Sequence, residues 1–229
     1  MDARTVLACR PTESADPAAD PASLSWVTEH RTENAMAATL IDLHETSGWR
    51  LRDGMIEHET GGYFSIIGLE VTAHGREVKS WHQPMLAPSG TGLVGLLVSS
   101  SVSGTRVLLR ARIEPGCTDG VELGPTVQYQ PDTIARNPGR KAPPLISQFA
   151  DPSPDRLLYD VEQSEEGGRY YFARNRYMVV AATEEFPAPQ GFRWFDLTEV
   201  ADFVRHSFYL NIQARSVLLC LQSLMSPVA

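Results

Sequence analysis

Cysteine is scarce in this chain: Cys9, Cys117 and Cys220 stand far apart and form no Cys-x-x-Cys pair. That argues against a disulfide framework and fits a reducing compartment. Long apolar runs are also missing, and the opening MDARTVLACRPTES lacks the apolar stretch of a secretory signal. A cytoplasmic protein with no membrane partner is therefore expected. Positive charge is in deficit, with a formal net charge of −8 and a pI near 5.2. Nothing in that balance attracts nucleic acid or an anionic membrane, although a local arginine cluster can hold a small anion inside an acidic protein. The six histidines show neither His-x-x-x-His nor His-x-x-Glu-His spacing, so no metal site is expected. No Gly-x-Gly-x-x-Gly turn and no Gly-rich loop ending in Gly-Lys-Ser/Thr occurs, which removes the usual nicotinamide and nucleoside-triphosphate cradles. The serine run around Ser100 forms no nucleophile elbow and reads as a turn between strands.

What is present suits one core. Hydrophobic residues make up 42% of 229 positions, enough for a single domain, placed over residues 24–229. Residues 1–23, mostly Pro, Ala, Asp, Ser and Thr towards their end, offer little apolar area against ordering entropy and are expected to be a mobile leader. A helix is expected within residues 24–44, with Trp26 docked on the segments that come after it in the chain. Between Gly61 and Gln128 the chain turns to short Val-, Ile- and Leu-rich runs punctuated by Gly, Pro and Ser, the pattern of a sheet. Residues 129–155 are rich in proline and poor in apolar residues, so they read as a long loop over that sheet.

RLLYDVEQ and RYYFARNRYMVVAA then form a strand pair joined by Ser164-Glu165-Glu166-Gly167-Gly168, where glycine supplies positive φ. Alternation along the second run places Tyr170, Phe172, Arg174, Arg176 and Met178 on one face. Such a face is either an aromatic and guanidinium wall for a base or sugar near a diphosphate, or an ordinary strand whose arginines reach acids such as Glu165 and Glu166. Two helices close the chain: one capped by Asp196 or Thr198, one with a stripe of Val217, Leu218, Leu221 and Leu224. Strands first and helices at the ends give an α+β class.

The fragments FSIIGLEV, REVKSWHQP, RIEPG, PTVQ, QSEEGGRYYFARNRYMVV, FRWFDL and NIQARSVL together resemble the NDP-hexose 2,3-dehydratases of deoxysugar pathways in antibiotic-producing bacteria. The resemblance runs from about Trp26 to Leu221. It implies a Nudix-like α+β fold with a mixed sheet and flanking helices, though no glutamate-rich Nudix box is present and hydrolase chemistry is not expected. Members of that family are about twice this length, built from two tandem copies that pack as a pseudo-dimer, and a homodimer would restore the arrangement here.

The implied chemistry is loss of the C3 hydrogen of a 4-keto-6-deoxyhexose nucleotide and departure of the 2-hydroxyl as water, with no cofactor. Glu114, at the end of an apolar strand, is the first candidate base, and a carboxylate paired with Arg112 or Arg110 is the alternative. Glu165 is the second, unless it only caps a turn. His82 is a candidate proton donor or a structural strand residue. Trp81 is a stacking or packing group, and Gln83 and Gln128 are candidate hydrogen-bonding groups for substrate. The pattern departs from the family at Cys117, where RIEPG is followed by asparagine in its members. It departs again from Tyr129-Gln130-Pro131-Asp132 through Asn137-Pro138-Gly139, which replace Ser-Asn-Tyr and His-Gly signals. Those departures keep two other readings open: the same scaffold acting as a cofactor-free cyclase or dehydratase on a polyketide-derived substrate, and a non-catalytic nucleotide-sugar-binding partner subunit.

Overall fold

The computed structural model describes residues 20–34, 36–101, 104–137 and 139–225 of the chain. Asp20 caps helix α1 (Pro21–Glu33), its Oδ1 accepting from the Ala22 amide at 3.1 Å. The helix therefore begins inside the stretch expected to be mobile, because an acidic cap followed by proline at the first turn is a strong start signal. The rest of that expected leader, residues 1–19, lies outside the described residues.

Two sheets come next. The smaller contains β1 (Trp49–Arg52), β2 (Met55–His58), β3 (Ser65–Thr72) and β4 (Ser80–Ala87), in that order and antiparallel throughout. Its first hairpin, outside the span expected for the sheet, is turned by Asp53 and Gly54, both at positive φ (50° and 78°), the Asp-Gly geometry that matches strand twist. The larger sheet has β5 (Gly92–Ser101), β6 (Gly104–Ile113), β7 (Val121–Gly124), β8 (Val127–Tyr129), β9 (Leu157–Ser164), β10 (Arg174–Ala181) and β11 (Phe192–Asp196). Its main order is β11-β6-β5-β10-β9, with β10 parallel to β5 and the other pairs antiparallel.

One face of this sheet is covered by α1, α4 (Leu197–Arg205) and α5 (Ile212–Met225). Val27, Phe203, Val217 and Leu221 from the helices meet Leu96, Val107, Leu109, Tyr177 and Val179 from the strands, in one buried cluster. Each such side chain contributes roughly 1.5–3 kcal/mol on burial. Asp196 is the N-cap of α4, where Glu199 Oε2 accepts its amide at 2.8 Å and Glu199 Oε1 accepts the hydroxyl of buried Ser23 at 2.7 Å. The opposite face buries Leu97, Leu108, Met178, Val180 and Trp194 against Phe149. Phe149 belongs to α3 (Ser147–Ala150), one of two short helices within the segment expected to be a plain loop; the other is α2 (Pro131–Arg136). A Cβ on Gly95 would meet the Phe149 ring at 2.5 Å, so this position lets the ring press on the strand itself. The α+β class and the mixed sheet with flanking helices are as expected.

The feature that positions the site is a fork. β5 and β6 pair from Ser101/Gly104 only as far as Leu97/Leu108. Beyond that they diverge: Leu93–Gly95 of β5 pairs with β8, and Arg110–Ile113 of β6 pairs with β7. Thr126, fully buried, sits at the apex. Its Oγ1 accepts from the Leu97 amide at 2.9 Å and donates to the Leu108 carbonyl at 2.5 Å, pairing two backbone groups at the point where the strands part. Replacing Thr126 by Val keeps the shape and strips both bonds, so the variant should lose roughly 2 kcal/mol of stability. Urea denaturation read by tryptophan fluorescence would check this, and an unchanged midpoint would show that the apex does not depend on the hydroxyl.

Candidate active site

A cavity of about 690 Å³ opens in the fork, a size ordinary for small-molecule sites. Its floor is Leu93 and Val94 of β5, Arg110 and Arg112 of β6, Gln128 and Tyr129 of β8, and Asn175 at the start of β10. Its roof comes from the proline-rich stretch, with Gln130, Thr133, Ile134 and residues 140–144, and Tyr63 and Gln213 are at the sides. The small sheet holds the roof down. Arg136 Nη1 donates to the Gly61 carbonyl at 2.9 Å, the Thr60 hydroxyl donates to Asn137 Oδ1 at 2.9 Å, and the Arg140 guanidinium lies 5.4 Å from the Tyr63 ring centre.

The lining is cationic. Arg110, Arg112, Arg140 and Lys141 face the cavity, and no carboxylate is among the described lining residues. Strand alternation puts Arg110 and Arg112 on the same side of β6. Arg112 is neutralised by Glu114, whose Oε1 accepts from Nε at 3.0 Å and Nη2 at 2.6 Å. Arg110 has no carboxylate partner among the described residues; its guanidinium lies 5.3 Å from the Phe192 ring centre. Burial, and after it the charge of Arg112, lowers the pKa of Arg110 below that of a free guanidinium. A half-buried cation held beside another cation is a site prepared for an anion.

Beside the cavity lies a network on Glu165. Asn175, 8% exposed, donates from Nδ2 to Glu165 Oε1 at 2.6 Å, and the Tyr177 hydroxyl donates to the same oxygen at 2.9 Å. Burial first, and the Glu165 bond second, push the Tyr177 hydroxyl up to about 12. Glu165 thus stands next to the cavity wall, with Asn175 between them.

The other sequence candidates are distributed elsewhere. Gln128 lines the cavity and accepts from Asn211 Nδ2 at 2.9 Å through its Oε1. Glu114 reaches the cavity only through Arg112. Trp81, His82 and Gln83 lie on β4 of the small sheet and do not line it. There Trp81 Nε1 donates to Gln83 Oε1 at 2.6 Å, Gln83 Nε2 donates to the Gly168 carbonyl at 3.1 Å, and His82 is exposed. Of the shared face expected for Tyr170, Phe172, Arg174, Arg176 and Met178, only Arg174, Arg176 and Met178 belong to one strand. β10 starts only at Arg174, after a turn closed by the Glu165 amide on the Ala173 carbonyl at 3.0 Å. Phe172, at φ 48° and 82% exposed, breaks the alternation, and Tyr170 bridges to Leu86 of β4. Arg174 pairs with Glu162 at 3.1 Å. Arg176 donates from Nε and Nη2 to Asp160 at 2.6 Å each, which holds that carboxyl below its usual range. Both arginines are surface pairs away from the cavity. The cationic wall sits on β6 instead, and its signal was the arginine alternation of Arg110-Ala111-Arg112 straight after the apolar run Val107-Leu108-Leu109. Gln130, Arg140, Lys141 and Asn175 carried no such signal. Among the described residues no helix is long and apolar enough to cross a membrane, and no group of three potential metal ligands gathers.

Because the folded-state pKa of Tyr177 is raised above its ordinary 10.0, the stabilisation from its neutral form is complete below pH 10 and disappears as pH climbs towards 12. Tyr177→Phe should therefore lose less stability than the parent over that interval. Thermal melts across it would check this, and identical pH dependence in both proteins would remove Tyr177 as the cause.

Residues 20–221 match the family model described as NDP-hexose 2,3-dehydratase. A dTDP-4-dehydro-6-deoxy-alpha-D-glucopyranose 2,3-dehydratase of Streptomyces violaceoruber is 39% identical over 98% of this chain and 53% of its own length. Its namesake in Amycolatopsis orientalis is 35% identical over 97% of this chain and 48% of its own. The chain thus spans about half the length of these curated relatives. Among solved structures, an ADP compounds hydrolase superposes with a TM-score of 0.43 at 14% identity, covering 70% of this chain and 85% of that one. A Nudix hydrolase from M. smegmatis gives 0.36 at 16% identity, covering 68% and 94%. With nearly all of its described length matched by one family model, and with relatives this similar, the chain belongs to the NDP-hexose 2,3-dehydratase family.

Proposed function

We propose that this protein is a hydro-lyase that eliminates water across C2 and C3 of an NDP-4-keto-6-deoxyhexose in deoxysugar biosynthesis, in the cytoplasm. The observation that carries the reading is the fork cavity, where four cations gather without a lining carboxylate. Glu114 offsets the charge of Arg112, leaving Arg110, Arg140 and Lys141 to meet a diphosphate. An apolar, polyketide-derived substrate gains nothing from such a wall. Family membership supports the same substrate class.

The 4-ketone acidifies the C3 hydrogen, and the cations of the cavity favour the negative charge that develops on its oxygen. Glu165 is the base we assign: it is fixed through Oε1 by Asn175 and Tyr177 behind the wall, and Asn175 has to swing aside for Glu165 Oε2 to reach the C3 proton. As carboxylate it takes the C3 proton, and as carboxylic acid it returns that proton to the departing 2-hydroxyl. The C3–H and C2–O bonds break, the C2=C3 bond forms, and water leaves with no net change in protons. Glu114, tied to Arg112 by two donors, has the role of orienting that arginine.

Thermal-shift titration with dTDP tests the binding half of this reading: stabilisation is expected for the parent and its loss for Arg110→Gln. Turnover of the 4-keto sugar nucleotide, followed by mass loss of one water, tests the other half. Glu165→Gln should lower turnover at least 100-fold while dTDP still binds. A parent indifferent to dTDP, or full turnover in Glu165→Gln, would refute the corresponding half.

The protein is further proposed to act as a homodimer joined through its small sheet. The large sheet has a helical layer on it, whereas on and before the small one Leu51 is 78% exposed, Ile41 58% and Leu40 completely. Exposed apolar side chains in that density suit a protein contact. Sedimentation should show a dimer that Leu51→Glu weakens, and a monomeric parent would contradict the arrangement.

A further inference from the structure

One buried residue ties the two arms of the fork together. On the side away from β6, β7 pairs with the stretch just before α5: the Leu123 amide donates to the Tyr209 carbonyl at 2.7 Å, and the Asn211 amide donates to the Leu123 carbonyl at 3.0 Å. The Asn211 side chain, 5% exposed, then crosses to β8, where its Nδ2 donates to Gln128 Oε1 at 2.9 Å. Its Oδ1 accepts from the Ala214 amide at 2.8 Å, so the same residue caps α5. A Cβ on Gly124 would collide with Arg112 Cδ and lie 3.2 Å from Asn211 Nδ2, so a glycine is what lets these two side chains approach each other.

These bonds fix the polarity of Gln128. A backbone amide only donates, so Ala214 claims the Asn211 oxygen and leaves the NH2 group of Asn211 for Gln128. That group only donates in turn, so Gln128 must turn Oε1 to Asn211 and carry Nε2 at the other end of its amide. Nε2 has no hydrogen-bond partner among the described residues, yet the only buried side-chain nitrogen or oxygen lacking one there is Gln130 Oε1. Nε2 is therefore accessible, on a residue that lines the cavity. The floor beside it carries Arg110 and Arg112, whose guanidinium groups also only donate. A neutral donor added to that floor calls for a ligand oxygen that accepts.

We infer that Asn211 is a positioning residue, holding Gln128 in the orientation that donates into the cavity, and that Gln128 Nε2 there takes an acceptor oxygen of the substrate. The inference rests on the nucleotide-sugar reading and deepens it by naming the group that selects the acceptor and the group that keeps it from inverting. The acceptor belongs either to the nucleotide or to the ketone of the sugar, where the same donor would follow the charge that develops as the C3 proton leaves.

The test is a double-mutant cycle on the full chain with Asn211→Asp and Gln128→Met, read by calorimetric titration with dTDP and by turnover of the 4-keto sugar nucleotide. Aspartate caps a helix as asparagine does but cannot donate to Gln128, which must then turn its NH2 group to the acid and its oxygen to the cavity. Gln128→Met should lower one of the two readouts about tenfold. Asn211→Asp should do the same in the parent and cost less than threefold in Gln128→Met, that remainder being the effect of the added charge. Asn211→Ser, an uncharged cap too short to reach Gln128, should cost about threefold in the parent and nothing further in Gln128→Met. Thermal melts check that each variant is folded. Coupling seen in dTDP affinity assigns the acceptor to the nucleotide, and coupling seen in turnover alone assigns it to the ketone. Losses of equal size with and without Gln128, or no loss in Asn211→Asp, overturn the inference while the nucleotide-sugar reading stands. A parent that neither binds dTDP nor turns over the sugar nucleotide overturns that reading and this inference with it.

Discussion

The hydroxyl of Thr126 is the point on which the rest of the structure depends. Two antiparallel strands that separate in mid-course leave backbone groups facing nothing, and an unpaired pair at such a depth would close the gap or unravel it. One buried threonine, accepting from Leu97 and donating to Leu108, ends the pairing cleanly. β7 and β8 then take over the inner edges of the diverging strands, while β11 and β10 keep the outer ones, so the cavity above them has a paired floor rather than a defect. Without that wedge Arg110 and Gly92 would have no common space to face.

Charge is handled differently on the two sides of the fold. Along the β9–β10 pair, Arg174 and Arg176 reach the acids diagonal to them on the neighbouring strand, Glu162 and Asp160, an arrangement of small energetic consequence in water. Within the fork, Arg110 has no acid among the described residues and Arg112 is given Glu114 from its own strand end. The difference is one of purpose: a paired guanidinium is satisfied, and an unpaired half-buried one keeps part of its binding energy for a ligand. The carboxylate network on Glu165 mirrors this from the other side, since two neutral donors rather than a cation hold it.

Much of the architecture could be read from the amino acids. Short apolar runs with Gly and Pro between them gave the strands, Asp196 capped its helix, and Val217, Leu218 and Leu221 marked the last helix's buried stripe because these effects are local. Asp53-Gly54 was a legible hairpin signal outside the expected span. The site was less legible. Alternation correctly separates the two sides of a strand, yet it says nothing about where a strand begins, and the late start of β10 at Arg174 moved Phe172 out of register and left the arginines on the surface. Gln128 lay in a motif and lines the cavity. Asn175 reaches Gly92 through a parallel pairing of segments some eighty residues apart and Gln130 through the antiparallel β5–β8 pairing, long-range relations that no local pattern encodes.

The roof over the cavity is attached by three side chains of its own: Arg136 on the Gly61 carbonyl, Asn137 on the Thr60 hydroxyl and Arg140 over the Tyr63 ring. The wedge and the floor belong to the sheet and carry the stability of the core. A chain built this way separates what must stay from what can vary. Evolution, or an engineer, could rewrite the roof stretch around Arg136, Asn137 and Arg140 to admit a different ligand without re-solving the folding problem underneath.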